Sequence, residues 1–179
     1  MYSVCLAVSK PWKHFLEASH DLWTELDFRH ASRPVRLESL KAHLRRCNYM
    51  LNRAVINMNR SIFSAKYLDY ITKTCKQLRY IELFSVGFLG DSLLAALPAA
   101  HSLRTLVIKG SEMTLYSVSE ALNICPQLEV FECDSVKLAH WIRPHWPQLD
   151  ALRSLKLASR GSSDIDPMQL VCSIKVCVR

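Results

Sequence analysis

The chain has 179 residues, half of which are hydrophobic, and its formal net charge at pH 7 is +7. The hydrophobic share excludes general disorder, and four glycines are too few for a glycine-rich phosphate-binding loop. The longest apolar stretch, residues 86–100, is interrupted by Asp91 and Pro98, and the start lacks the pattern of a secretory signal, so we expect neither a membrane span nor export.

The first elements in chain order alternate between helix and strand. Residues 4–16 are mostly apolar and predict a helical segment, and a short initial strand is predicted over residues 23–28. An amphipathic helix over residues 37–44 and a second strand over residues 51–56 come next. Residues 65–77 predict another helix, because Leu68, Ile71 and Cys75 fall on one face.

Four later segments repeat one phrase, in which a leucine is followed by apolar residues three and five positions on. They are Leu78-x-x-Ile81-x-Leu83, Leu103-x-x-Leu106-x-Ile108, Leu128-x-x-Phe131-x-Cys133 and Leu152-x-x-Leu155-x-Leu157. The leading leucines are 25, 25 and 24 residues apart, and the two earlier strands extend the series with steps of 28 and 27 residues. A constant period of this length is typical of leucine-rich repeats. We therefore predict an α/β fold, a leucine-rich repeat solenoid with strand–turn–helix repeats of about 24–28 residues.

Helices are predicted between these strands. Residues 92–97 form one, with Asp91 as its N-cap, and residues 114–122 form another whose apolar positions follow helical spacing. Pro126 prevents the second helix from continuing. Each repeat is thus a strand, a turn, a helix and a return.

The cysteines are seven in number and form no C-x-x-C pair. Cys75 and Cys125 lie three residues before a repeat leucine, and Cys47 lies four before Leu51, which predicts buried structural thiols. Reduced thiols indicate a nuclear or cytoplasmic protein. No histidine or cysteine spacing is typical of a zinc site and no nucleophile elbow is present, so we predict no catalytic residue, cofactor or metal.

One face of the predicted strands points away from the repeat leucines, because side chains alternate between the two faces of a strand. The central residues predicted on this face are Tyr80, Glu82, Phe84, Thr105, Val107, Lys109, Val130, Glu132 and Asp134. The same alternation places Arg53, Val55, Asn57, Ser154 and Lys156 beside them. Mixed charge and aromatic residues favour a protein-binding surface, although an ordinary solvated strand face has the same pattern.

The amino-terminal segment resembles a known domain. Val8-Ser9-Lys10-Pro11-Trp12-Lys13-His14-Phe15-Leu16 and Leu22-Trp23 resemble the second half of an F-box, and an F-box followed by leucine-rich repeats is a typical domain order. Three further segments, Leu22 to Phe28, Ala31-x-Arg33-Pro34-Val35 and Leu44 to Leu51, resemble a fungal group that carries tetratricopeptide repeats, an F-box and leucine-rich repeats. That group is linked to replication and genome stability.

The resemblance implies a substrate-recognition subunit of an SCF-type (Skp1–cullin–F-box) ubiquitin ligase. Its partners would be a Skp1-like adaptor with its cullin complex, and protein substrates held on the strand face described above; the subunit itself would perform no catalysis. Carried over onto this chain, the Skp1-binding residues are Val4, Leu6, Val8, Trp12 and Phe15. The L-P-x-E-[IL] helix that begins an F-box does not occur here, so we expect a fragment or an incomplete gene model.

The expected organisation has three parts. Residues 1–28 form a small helical partial F-box with the initial strand, residues 29–160 form the leucine-rich repeats, and residues 161–179 form a tail of unknown structure. The apolar amino-terminal residues would serve equally as the cap that shields the first repeat from water. A protein-interaction scaffold without a ligase connection is therefore an alternative function.

A second alternative rests on a run of cations. The residues concerned are Arg29, Arg33, Arg36, Lys41, Arg45, Arg46, Arg53 and Arg60. Such a run attracts nucleic acid or an acidic protein surface, and it is also typical of a solvated helix face. Only Tyr49 supplies an aromatic ring within it, which favours the solvated face first, an acidic partner second and chromatin or DNA third.

Overall fold

The structure is a computed structural model, and it describes residues 9–30, 34–57, 65–88, 90–137 and 149–158. The helices are α1 (Lys10–Ala18), α2 (Leu37–Arg46), α3 (Ala65–Thr74), α4 (Gly90–Ala96) and α5 (Leu115–Ile124), with short 3-10 helices at His20–Trp23 and Leu97–Ala99. The strands are β1 (Glu25–Asp27), β2 (Arg53–Asn57), β3 (Tyr80–Phe88), β4 (Thr105–Thr114), β5 (Val130–Cys133), β6 (Val136–Lys137) and β7 (Ser154–Leu157).

The seven strands that the structure describes form one parallel sheet in the order β1-β2-β3-β4-β5-β7, and β6 pairs with the far end of β4. Equivalent positions of successive repeats lie side by side, as in the row Arg53, Tyr80, Thr105, Val130 and Ser154. A step of 24 to 28 residues along the sequence therefore advances the chain by one strand. The α/β class with a parallel sheet is confirmed.

The core lies between the sheet and one layer of helices. The repeat residues Ile81, Leu106 and Phe131 are fully buried, and they belong to the same cluster as residues from the helices, such as Leu68 and Leu122. Helix α5 begins where Thr114 Oγ1 accepts a hydrogen bond of 3.0 Å from the backbone N–H of Ser117. The apolar residues of the repeat phrase therefore form the buried face of each strand, and the apolar faces of the helices pack against it.

The predicted cysteine burial is confirmed at all three repeat positions. Cys47, Cys75 and Cys125 are buried free thiols, and Cys133 is buried as well. Burial raises the pKa of Cys75 and of Cys125 to about 11. A thiol with so high a pKa is rarely ionised near neutrality, so these side chains act as small hydrophobic residues.

Some boundaries differ from the sequence predictions. The helix predicted over residues 65–77 ends at Thr74, and Thr114 is the N-cap of α5 instead of its first helical residue. Strands β3 and β4 continue beyond the repeat phrase, with a register shift in their pairing between Phe84 and Gly87. Within β4, Gly110 has a φ of 66°, which glycine adopts without a steric penalty.

The two ends of the chain are described to different extents. In the amino-terminal part, α1 and a 3-10 helix precede β1. Residues 161–179, the tail of the expected organisation, lie outside the described residues. Among the helices that the structure describes, none is long and apolar enough to cross a membrane.

Candidate functional site

The face of the sheet opposite the helices carries the residues predicted to point outward. Its hydrophobic side chains, such as Val55, Phe84 and Val130, are not members of the helix-packed core. Most of the face is at least partly exposed, including Tyr80, Phe84, Thr105, Lys109, Val130, Glu132 and Asp134. Val55, Glu82 and Val107 occupy the predicted face but are buried, at 0%, 4% and 6% exposure. We call this surface the open sheet face.

Glu82 is the centre of a charged cluster on the open sheet face. Its carboxylate accepts a hydrogen bond of 2.7 Å from Lys109 Nζ and one of 2.9 Å from the hydroxyl of Tyr80. The guanidinium groups of Arg53 and Arg29 approach to 3.6 and 3.9 Å. These partners come from the loop after β1 and from strands β2, β3 and β4, so one carboxylate connects four successive segments.

The position of Glu82 in the ladder explains its burial. Val55 lies beside it on β2 and Val107 beside it on β4, and both valines are buried. Long side chains one row above and below then close over the carboxylate. The guanidinium of Arg53 lies 4.6 Å from the ring centroid of Tyr80, within the range of a cation–π contact.

The cluster shifts the pKa values of its members away from neutrality. Burial raises the pKa of Glu82, but hydrogen bonds from Lys109 and Tyr80 outweigh it and the net pKa is lowered. The hydrogen bond to Glu82 raises the pKa of Lys109, and burial together with Glu82 raises that of Tyr80. Near pH 7 all three groups keep one protonation state, which favours a structural ion cluster over acid–base chemistry.

Phe84 is the aromatic side chain at the lower end of this cluster. Lys109 Nζ lies 5.3 Å from its ring centroid, and the guanidinium carbon of Arg29 lies 5.7 Å from it. Phe84 is half-buried, so part of the ring remains available at the surface. Partly exposed aromatic residues among fixed charges are typical of the anchors of protein interfaces.

A cleft of about 440 Å³ lies next to the cluster, between β4, β5 and β7. Its polar walls are Lys109, Glu132, Asp134 and Lys156. Lys156 Nζ lies 2.6 Å from Glu132, and Asp134 Oδ1 accepts the backbone N–H of Gly110 at 2.8 Å. The structure thus brings four of the predicted substrate-binding residues, Val107, Lys109, Glu132 and Asp134, together in one cleft.

The predicted Skp1-binding residues are described only in part. Val4, Leu6 and Val8 lie outside the described residues. Trp12 and Phe15 both lie in helix α1, and the side chain of Phe15 is 57% exposed. An exposed phenylalanine on a short helix is compatible with a docking contact.

Six cations of the basic run between residues 29 and 60 are described, and four of them contact other side chains of the chain. The cations with an internal partner are Arg29 and Arg53 at Glu82, Lys41 at Glu38, and Arg46 over the ring of Trp23. Arg33 and Arg60 lie outside the described residues, which leaves Arg36 and Arg45 as the described members without such a contact. Cations that already neutralise an internal carboxylate have less to gain from a phosphate.

No sequence pattern indicates how deeply Glu82 is buried. The alternation of side chains along β3 places Glu82 on the outward face, but its burial depends on the spatial convergence of Arg29, Arg53 and Lys109.

In the described ranges, no group of three or more histidine, cysteine or acidic side chains could hold a metal ion. Comparisons with protein-family models, with curated proteins and with solved structures find no match for this chain.

Proposed function

We propose that this chain is a leucine-rich repeat solenoid that serves as the substrate-recognition subunit of an SCF-type ubiquitin ligase. In this proposal a client protein binds the open sheet face and the amino-terminal segment contacts Skp1. The chain itself performs no chemistry, and it acts in the nucleus or the cytoplasm. The observation that carries the binding role is the open sheet face, a row of partly exposed charged and aromatic side chains on parallel strands.

The register of the sheet supports the solenoid. Adjacent strands pair at positions one sequence repeat apart. The phrase residues are buried in the repeats of β3, β4 and β5, and in the repeat of β7 Leu152 is buried while Leu155 and Leu157 are partly buried. A stack of this kind places equivalent side chains about 4.8 Å apart along a continuous surface. Such a surface suits an extended or folded protein client better than a small molecule.

The cluster around Glu82 supports a preorganised binding surface. Lys109, Arg53 and Tyr80 are held by hydrogen bonds and ion pairs before any client arrives. Side chains that are already ordered lose less conformational entropy on binding, which raises affinity for a fixed contact area. We expect the client to contact the exposed parts of Phe84, Lys109 and Glu132 and to leave buried Glu82 untouched.

The ligase connection is tested by binding to purified Skp1. The chain is compared with a Trp12→Ala, Phe15→Ala double variant and with His14→Ala, an exposed residue of the same helix. We expect the original chain and His14→Ala to bind Skp1 in a pull-down, and the double variant to lose binding. Circular dichroism of each variant establishes that the fold is retained.

Two results would contradict the ligase role. If neither the chain nor its variants retain Skp1, the ligase connection fails and a protein-interaction scaffold without it becomes the better description. If the double variant binds as well as the original, any contact lies elsewhere and Trp12 and Phe15 are not part of it. Neither outcome affects the binding role of the open sheet face.

A further inference from the structure

The turn that precedes β2 differs from the equivalent turns of the other repeats. It contains Tyr49 and Met50. At the same register the later turns have Lys76-Gln77, His101-Ser102, Pro126-Gln127 and Asp150-Ala151. None of these four pairs contains a large hydrophobic residue. Connecting a helix to a strand therefore does not require the side chains found in the first turn.

The backbone of this turn is also unusual. Asn48 and Tyr49 have φ values of 47° and 58°, in the left-handed region that favours glycine. The turn is fixed by hydrogen bonds from the N–H groups of Asn48 and Tyr49 to the carbonyls of Arg45 and Leu44, at 3.0 and 2.8 Å. A tyrosine at a position that glycine fits better indicates a role for its side chain beyond the turn.

The side chains of this turn are exposed together with Leu22. Tyr49 is 37% exposed and Met50 is 41% exposed. The backbone N–H of Asn52 donates to the carbonyl of Thr24 at 2.8 Å, so the segments before β1 and β2 are adjacent. Leu22, in the 3-10 helix, precedes Glu25 by three residues, as Met50 precedes Arg53, the strand partner of Glu25. Leu22 is 38% exposed. We call Leu22, Tyr49 and Met50 the edge patch, since they lie where the strands begin.

Cations surround the edge patch. Arg45 lies in the last turn of helix α2, Lys76 occupies the next turn at the position equivalent to Tyr49, and Arg79 donates its backbone N–H to the carbonyl of Asn52 at 2.9 Å. All three side chains are exposed. Within the part of the chain that the structure describes, none of the three forms an ion pair. An apolar centre with an unneutralised cationic rim is complementary to apolar residues flanked by carboxylates.

We propose that the edge patch binds a polypeptide segment of a partner protein in which large apolar side chains are flanked by Asp or Glu. This surface is separate from the open sheet face and does not depend on the ligase role. A second copy of the chain is a poorer occupant, because its own patch has the same positive rim. Nucleic acid would satisfy the cations but not the aliphatic side chains of Leu22 and Met50.

The test uses a phage library of random 12-residue peptides, selected on the full chain. Enriched peptides are synthesised and their affinities are measured against a Tyr49→Ser, Met50→Ser variant, an Arg45→Glu, Arg79→Glu variant, and Tyr116→Ser as control. Tyr116 is 51% exposed on α5 and lies outside the patch. We expect peptides that combine large apolar residues with net negative charge. Their Kd should rise at least tenfold with either double variant and stay unchanged with Tyr116→Ser.

A further variant separates binding from folding. Tyr49→Gly relieves the left-handed backbone, so it should raise Tm by about 2–4 °C while it abolishes peptide binding. Enriched peptides whose affinity does not depend on Tyr49, or that are rich in Lys and Arg, would overturn the proposal. Binding of a 30-base-pair DNA duplex that needs Arg45 and Arg79 but persists in the Tyr49→Ser, Met50→Ser variant would also overturn the proposal. A concentration-dependent dimer in sedimentation that the same variant abolishes would overturn it as well.

Discussion

Replacement of Glu82 by glutamine tests whether the ion cluster stabilises the fold. The substitution keeps the size of the side chain and an acceptor for Tyr80, but it removes the charge that attracts Lys109, Arg53 and Arg29. Breaking a fully buried ion pair costs about 3–5 kcal/mol. Here only the carboxylate is buried, at 5% exposure, whereas the three cations are 29–46% exposed and regain water when the charge is lost. We therefore expect a loss of about 1–3 kcal/mol in the free energy of unfolding.

Urea unfolding followed by tryptophan fluorescence at pH 7 measures this loss. The matched control is Glu132→Gln, two strands along in the same row, where the carboxylate pairs with Lys156 at 2.6 Å but is 31% exposed. We expect the control to cost about 0–1 kcal/mol, as exposed ion pairs do. Equal losses for the two variants would refute the argument that burial makes the Glu82 cluster strong.

The free energy of unfolding measured as a function of pH tests the sign of the contribution from Glu82. Because the pKa of Glu82 is lowered in the folded chain, its contribution is complete above the ordinary value of 4.5 and is lost as pH falls through the folded value. The difference between the original chain and Glu82→Gln should therefore be constant from about pH 6 to 7 and should shrink below pH 4.5. A difference that grows on acidification would contradict this linkage.

Two other variants or treatments address local features. Thr114→Ala should lower the free energy of unfolding by about 1 kcal/mol because it removes the N-cap hydrogen bond of α5. Thr114→Ser retains a hydroxyl and should keep most of that stability. Equal losses for the two variants in urea unfolding would argue against capping. Cys75 and Cys125 should remain unlabelled by Ellman's reagent in the native chain at pH 8 and react in urea, because burial raises their pKa to about 11; rapid native labelling, mapped by mass spectrometry, would show that they are accessible.

The sequence predicts the parallel sheet because the residues that recur at a constant interval are the buried ones. The large apolar residues Ile81, Leu106 and Phe131 are fully buried against the helices, so their spacing predicts both the strand and its buried face. The cysteine positions are predictable for the same reason. Strand ends are less predictable, since the continuation of β4 to Thr114 depends on pairing with β6 and on a glycine at residue 110.

The candidate sites depend more on three-dimensional arrangement. Alternation places Glu82 on the open sheet face, but its burial needs Arg29 from a loop and Lys109 from a strand 27 residues away. No local pattern contains that convergence. The edge patch has a clearer sequence signal, because comparing Tyr49 with Lys76 at the next equivalent turn already marks it as exceptional. Its exposure and backbone conformation require the structure.

The two surfaces of the molecule should behave independently. The Glu82 cluster joins β2, β3 and β4 on the open sheet face, whereas Tyr49 lies in the turn before β2 and is held by backbone hydrogen bonds to the end of α2. The two share no described contact, and effects of such residues normally add. A Glu82→Gln, Tyr49→Gly double variant should therefore have a free energy of unfolding equal to the sum of the two single effects, within about 0.5 kcal/mol. A larger coupling would mean that the turn and the cluster respond as one unit, and a client on the open sheet face would then alter binding at the edge patch.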